Sequence, residues 1–123
     1  MDGSCNCKGV TFTVAGYKGR VSSCHCGQCR KQSGHYWASG NAPVEDFTIR
    51  GEVRWYEASD IAKRGFCPTC GSFLFWKAHA EDMMSFSMGA IDGPTGVKTE
   101  RHIFVADKGD YYDIADGVPQ RQD

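Results

Sequence analysis

Cys5-Asn6-Cys7-Lys8-Gly9-Val10-Thr11-Phe12-Thr13-Val14 joins a chelating pair of cysteines to a strand pattern. From Val10 to Val14 apolar and hydroxyl side chains alternate, the period of a half-buried β-strand. Working outward, Phe47 to Ile49, Val53 to Tyr56, Phe73 to Trp76, Met84 to Met88 and Ile103 to Ala106 are further strand candidates. Gly16, Gly19, Gly40, Gly89 and Gly93-Pro94 read as turns, and Gly51-Glu52 predicts a tight hairpin between two of the strands. Helical signal is weak: a short helix or turn over Cys29 to Tyr36 and another turn over Ser59 to Lys63. The expectation is a mainly β chain of many short strands, built as a packed pair of sheets. No linker divides residues 1–123, so a single domain is expected, with a loose polar tail from Asp116.

The 15 acidic and 14 basic residues leave a net charge of −1, which gives no electrostatic reason to expect nucleic acid or an anionic membrane as partner. No apolar run reaches the roughly 18 residues of a membrane span. Met1 to Lys8 is polar and lacks a signal-peptide core, so the expected compartment is the cytoplasm, where cysteine clusters read as metal or catalytic sites rather than disulfides. Chains of this length bury roughly two-thirds of their unfolded surface, so metal is not needed merely to rescue a small core.

The seven cysteines fall into Cys5/Cys7, Cys24/Cys26/Cys29 and Cys67/Cys70. Cys67-Pro68-Thr69-Cys70-Gly71 has the form of a zinc knuckle, with glycine suited to the positive φ of its turn. One knuckle supplies two ligands, and Cys5/Cys7 is the candidate partner pair. A structural zinc takes four thiolates, which leaves a second site one ligand short, and an open position distinguishes a catalytic zinc. The plainer reading is one structural zinc and three buried cysteines. An iron ion in the four-thiolate site is a further alternative.

If Ser22 to Cys26 ends a strand, Cys24 and Cys26 point to one face and His25 to the other. Gly27 then turns the chain so that Cys29 supplies a third corner. His25 is by direction a poor ligand for the same ion and reads as a supporting histidine. Three thiolates give a divalent site a net negative charge, a setting that suits a soft ligand better than water. The chemistry expected is activation of a thiol, because a metal-bound thiol loses its proton.

In this order and spacing the clusters resemble the glutathione-dependent formaldehyde-activating enzyme family, whose wider group includes centromere protein V. The resemblance runs from Gly3-Ser-Cys-Asn-Cys through Cys24-His-Cys-Gly-Gln-Cys-Arg-Lys-Gln-Ser-Gly34 to Phe66-Cys-Pro-Thr-Cys-Gly-Ser72. It continues into Gly89-Ala-Ile-Asp92, His102-Ile-Phe-Val-Ala-Asp-Lys108 and Asp116-Gly-Val-Pro119. It implies twisted antiparallel sheets in a β-sandwich-like domain built around two zinc ions. Cys5, Cys7, Cys67 and Cys70 would hold the structural zinc; Cys24, Cys26 and Cys29 would hold the catalytic one. The implied activity is carbon–sulfur bond formation and cleavage, glutathione plus formaldehyde giving S-hydroxymethylglutathione. Lys8 stands where the family commonly has glycine, Tyr111-Tyr112 where it often has tryptophan, and Ile91-Asp92 where it often has Leu-Asp.

Beside the open cluster, Arg30 and Lys31 are candidates to hold the carboxylates of a glutathione-like ligand. Ser33 and His35 could line the same pocket, His35 as a proton shuttle. His79 reads as a solvated loop residue and His102 as structural. Trp37, Trp55 and Trp76 read as core or pocket wall, and Asp92 as a turn residue. The rival to an enzyme is a non-catalytic zinc-stabilised binding module on the same scaffold. Oligomeric state has no signal in the sequence.

Overall fold

The computed structural model describes all of residues 1–123 and has ten strands, among them those expected from alternation and from β-branched or aromatic content at Thr11–Val14, Phe47–Arg50, Arg54–Glu57, Phe73–Ala78 and Met83–Ser87. They are β1 (Asp2–Ser4), β2 (Thr11–Val14), β3 (Val21–Cys24), β4 (Trp37–Pro43), β5 (Phe47–Arg50), β6 (Arg54–Glu57), β7 (Ala62–Phe66), β8 (Phe73–Ala78), β9 (Met83–Ser87) and β10 (Thr99–Ile103). One helix, α1 (Gly27–Ser33), follows β3. Cys26 caps its start by accepting from the Cys29 N–H, and Gly34 ends it in the left-handed region at φ 79°.

Strands β1, β2 and β5 form a small sheet; β10, β3, β4, β9, β8, β7 and β6 form a large one in that order. Strand is 40% of the chain and helix 13%, so the fold is mainly β, as expected. Every pairing is antiparallel except that of β10 with β3, which runs parallel.

The two sheets share one core. Phe12 of the small sheet meets Phe75 edge-on at 5.0 Å, and Phe47 lies 5.8 Å from Phe86. Phe75 and Phe86 are themselves opposite one another on β8 and β9 and fully buried. Fully burying an aromatic or aliphatic side chain of this kind contributes about 1.5–3 kcal/mol.

Several sequence expectations shift, among them Gly40, which lies inside β4 opposite Phe86 rather than at a turn. Gly51-Glu52 does not close a hairpin, because β5 pairs with β2 and β6 pairs with β7. Gly51 instead carries the chain between sheets at φ 95°, where a Cβ would stand 2.0 Å from the Gly9 carbonyl oxygen. The last strand ends at Ile103, since Phe104 adopts φ 54° and Val105–Asp107 make a 3₁₀ turn. The tail is not loose: the His102 N–H donates to Pro119 O (2.9 Å), Arg121 N–H to His102 O (2.8 Å) and Val105 N–H to Arg121 O (3.0 Å). These bonds lay the last residues against the edge of β10 and satisfy donors that would otherwise be unpaired.

Gly51→Ala should therefore lower the free energy of unfolding by about 3 kcal/mol, because strain and a backbone clash add. Gly96→Ala, at φ 72° with nothing within 4 Å of its Cβ, should lower it by only about 1 kcal/mol. Urea denaturation of the two variants checks the difference.

Candidate metal centres and an adjoining cleft

The pleat of the large sheet sends alternate residues to opposite faces. Phe75 and Phe86 face the core; their neighbours Trp76 and Ser85, also paired, face the other way. The same alternation puts Ser22, Cys24, Trp37, Ser39, Arg64, Arg101 and Ile103 on that second face, through the pairs Ser22–Ser39, Cys24–Trp37, Arg64–Trp76, Arg101–Ser22 and Ile103–Cys24. Together they line a cleft of about 590 Å³ with the open cysteine cluster in its wall. That volume is in the range of small-molecule sites.

The sulfurs of Cys24, Cys26 and Cys29 all lie within 4.8 Å of one another. β3 delivers Cys24, the helix cap delivers Cys26, and the first turn of α1 delivers Cys29. Hydrogen bonds from the Cys24 and Cys29 thiols, from the Cys29 N–H and the charge of nearby Arg64 pull Cys26 far below the usual thiol range. The hydrogen bond with Cys26 and burial push Cys24 the other way. The cluster thus favours negative charge on the Cys26 sulfur over the Cys24 sulfur. Three soft donors at this spacing could hold zinc and leave a corner vacant.

The sulfurs of Cys5, Cys7, Cys67 and Cys70 form a second group, again all within 4.8 Å. The approach of Cys7 to Cys67, 3.7 Å, joins the N-terminal segment to the turn between β7 and β8. Backbone N–H groups point at these sulfurs: Val10 to Cys5 (3.2 Å), Gly9 to Cys7 (3.4 Å) and Cys70 to Cys67 (3.5 Å). The Ser72 hydroxyl and backbone bring Cys70 down to about 5. Gly71 has the positive φ expected of it, and Lys8 has φ 64°, a conformation glycine adopts without strain. Four sulfurs of this kind suit a closed tetrahedral zinc.

Arg64 is only 4% exposed and stands beside the open cluster. Its terminal nitrogens lie 3.6 and 3.7 Å from Cys29 Sγ, and it donates to Gln28 Oε1 and Gln32 Oε1 at 2.8 Å each. Arg20 and Arg101 also line the cleft, whereas no aspartate or glutamate does. Arg101 Nε donates to Ser22 Oγ at 2.6 Å, and the guanidinium makes no salt bridge.

Arg30, Lys31, Ser33 and His35 fall elsewhere: none lines the cleft. On α1, Gln28, Cys29 and Gln32 turn toward Arg64, and a helix cannot present its remaining positions to the same side. His35 packs on Tyr112 (centroids 4.1 Å apart), and its N–H bonds to Ser33 Oγ. Trp37 and Trp76 form cleft wall, as expected, while Trp55 stacks on Phe75. Asp92 accepts from Ser4 Oγ at 2.9 Å, and His79 pairs with Glu57 at 2.8 Å. Arg64 and Arg101 escaped sequence reading because no strand was foreseen over Ala62–Phe66 or Thr99–Ile103. The alternation Trp37-Ser39-Asn41 was the available signal for the cleft face.

His25 points away from the sulfurs and is fully buried. Asp116 Oδ2 lies 2.8 Å from His102 Nε2, His102 Nδ1 is 2.9 Å from His25 Nε2, and His25 Nδ1 is 2.5 Å from the Tyr112 hydroxyl. One set of neutral tautomers satisfies the whole chain: Tyr112 donates to His25, His25 to His102, and His102 to Asp116. Burial above all brings His25 down to about 4, in keeping with its neutral place in this chain. These bonds fasten residues 112–116 behind the Cys24–Cys26 segment.

Residues 1–107 match the sequence model of the family described as glutathione-dependent formaldehyde-activating enzyme. A relative in Schizosaccharomyces pombe, described as an uncharacterised lyase, is 26% identical over 117 residues, 93% of this chain and 85% of that protein. A crystal structure of a Rhodobacter sphaeroides protein superposes with a TM-score of 0.65, covering 77% of this chain and 91% of that one at 22% identity, which establishes a shared fold.

The hydrogen bond to His102 lowers the Asp116 carboxyl below its ordinary value. Its contribution to stability is complete above the unfolded carboxyl value of about 3.9 and is lost as pH falls through the lowered folded one. Protection of the Arg121 amide, the slowing of its exchange relative to that of an unprotected amide at the same pH, should be high at neutral pH and fall below about pH 4; Asp116→Asn should show the lower protection already at pH 7. Hydrogen exchange read by NMR compares the two.

Proposed function

The chain belongs to the glutathione-dependent formaldehyde-activating enzyme family, and from that membership we propose that it is a zinc-dependent carbon–sulfur lyase making and breaking S-hydroxymethylglutathione. The observation that carries this reading is the cleft itself: an open three-cysteine cluster in its wall, three arginines in its lining and no carboxylate. Arg20 is paired with Glu100 at 3.4 Å, but Arg101 makes no salt bridge and leaves an unpaired cation in the cleft, which fits a thiol substrate bearing a carboxylate.

Cys24, Cys26 and Cys29 would hold the catalytic zinc, and Cys5, Cys7, Cys67 and Cys70 the structural one, within one zinc-binding domain of residues 1–123. Bound zinc supplies a Lewis acid that lets a thiol reside beside the cluster as thiolate at neutral pH. The chain's own residues orient and enclose the reactants. Arg101, tethered through Nε to Ser22, uses its remaining N–H groups to grip a substrate carboxylate, with Arg20 nearby. Trp37 and Trp76 wall the cleft and exclude water from the reacting carbon. The substrate sulfur attacks the aldehyde carbon; the S–C bond forms as the C=O π bond opens, and the oxygen takes up a proton. Cleavage runs the same path in reverse. Free thiolates require a reducing compartment, which fits the cytoplasm.

Metal stoichiometry and a glutathione titration test the reading. Two zinc ions per chain are expected, with glutathione altering the coordination of one, and ¹³C NMR should detect the formaldehyde adduct. One thiol-insensitive zinc would instead indicate a non-catalytic binding module. Cys67→Ser should unfold the protein, since binding of a structural metal is part of the folding free energy. Cys26→Ser should stay folded, judged by circular dichroism, and lose thiol binding. Arg101→Ala should raise the KM for glutathione about tenfold with little change in kcat, the signature of lost uniform binding.

A further inference from the structure

A guanidinium cannot shed its proton, so burying one requires compensating charge or dipoles close by. Arg64 is 4% exposed, yet it takes part in none of the protein's four salt bridges. Its partners are two glutamine side-chain oxygens, the Phe73 ring at 5.3 Å and the sulfur of Cys29. Among these only sulfur can carry negative charge. The compensating anion for Arg64 is therefore the thiolate cluster.

The two cysteine groups differ in this respect. Donors to the four-cysteine group are backbone N–H groups and the Ser72 hydroxyl, with no cationic side chain touching a sulfur. The three-cysteine group alone has an arginine, and that arginine is aimed. Gln28 and Gln32, one turn apart on α1, hold its fork from one side. Pairing of Arg64 with Trp76 fixes its backbone from the other.

A divalent ion with three thiolates carries a single negative charge, and a fourth thiolate would double it. At a site partly withdrawn from water that repulsion opposes binding of an anionic sulfur. We infer that Arg64 is the counter-cation of the three-cysteine centre, a positioning residue that neutralises it so that the substrate's sulfur can enter as the fourth thiolate. By donating N–H to Cys29 it also draws electron density from that sulfur. This inference rests on the reading of the cluster as an open metal site.

The test uses full-length protein loaded with zinc, and in parallel with cobalt, whose thiolate charge-transfer bands report each added sulfur. Competition with a chromophoric chelator should strip one zinc from Arg64→Met at tenfold to a hundredfold lower chelator concentration than from wild type. The other zinc should be retained equally in both. Cobalt-loaded Arg64→Met should need about tenfold more glutathione for the same spectral change, or more. Arg64→Lys, which keeps the charge but not the fork, should recover most of the glutathione affinity. If Arg64→Met proves too unstable to purify, Arg64→Gln, which removes the charge but keeps a polar side chain beside Gln28 and Gln32, takes its place and should show the same loss of zinc and glutathione affinity, whereas Gln28→Ala, which keeps the cation, should leave glutathione affinity unchanged. Equal chelator and glutathione titrations for wild type and Arg64→Met, or Arg64→Lys as poor as Arg64→Met, would overturn the role of Arg64 while leaving the metal site standing. A wild-type protein that never takes a second metal would overturn the open-site reading, and this inference with it.

Discussion

The alternation of side chains across the seven-stranded sheet constrains everything else in the molecule. Phe75 and Phe86 are paired and buried against the small sheet; one residue further on, Trp76 and Ser85 are paired and face the cleft. A one-residue slip in a central strand would exchange core for cleft, and in β3 it would turn Cys24 away from Cys26 and Cys29. Core packing and site geometry are thus a single requirement on register. The aromatic contacts that enforce the first, such as Phe12 on Phe75 at 5.0 Å, also enforce the second.

The parallel pairing of β10 with β3 extends this logic to the edge. It sets Arg101 beside Ser22 and Ile103 beside Cys24 on the cleft side, and His102 beside Ser23 on the reverse. From the reverse side, the bonds from His102 to Asp116 and from His25 to Tyr112 hold the last part of the chain. A segment with little apolar content stays in place because Tyr112 and Asp116 close a hydrogen-bonded chain through the buried His25 and His102. The polar composition of the tail suggested looseness because composition records apolar burial and not this kind of pairing.

Charge is arranged as unevenly as polarity. Acidic and basic residues nearly cancel over the whole chain, yet the cleft lining contains three arginines and no acid. The four-cysteine group relies on backbone dipoles of the turns that hold it, whereas the three-cysteine group faces a buried cation. A closed cluster and an open one therefore differ in their surroundings as well as in ligand number.

Ligand identity is a local property, so the spacing of Cys5/Cys7, Cys24/Cys26/Cys29 and Cys67/Cys70 was readable directly from the chain, and the sulfurs do gather as four and three. The mainly β character was equally local, because period-two alternation is visible in five residues. Beyond the cysteines and the tryptophan walls, what lines the cleft was not. Arg64, Arg101 and Asn41 come from three different strands, and which face each occupies depends on pairings between residues far apart in sequence. Arg30, Lys31, Ser33 and His35 lay next to the cluster along the chain, but one turn of helix was enough to carry them out of the cleft. Proximity in sequence decided the ligands; strand order and register decided their neighbours, because only paired strands bring distant side chains onto one face.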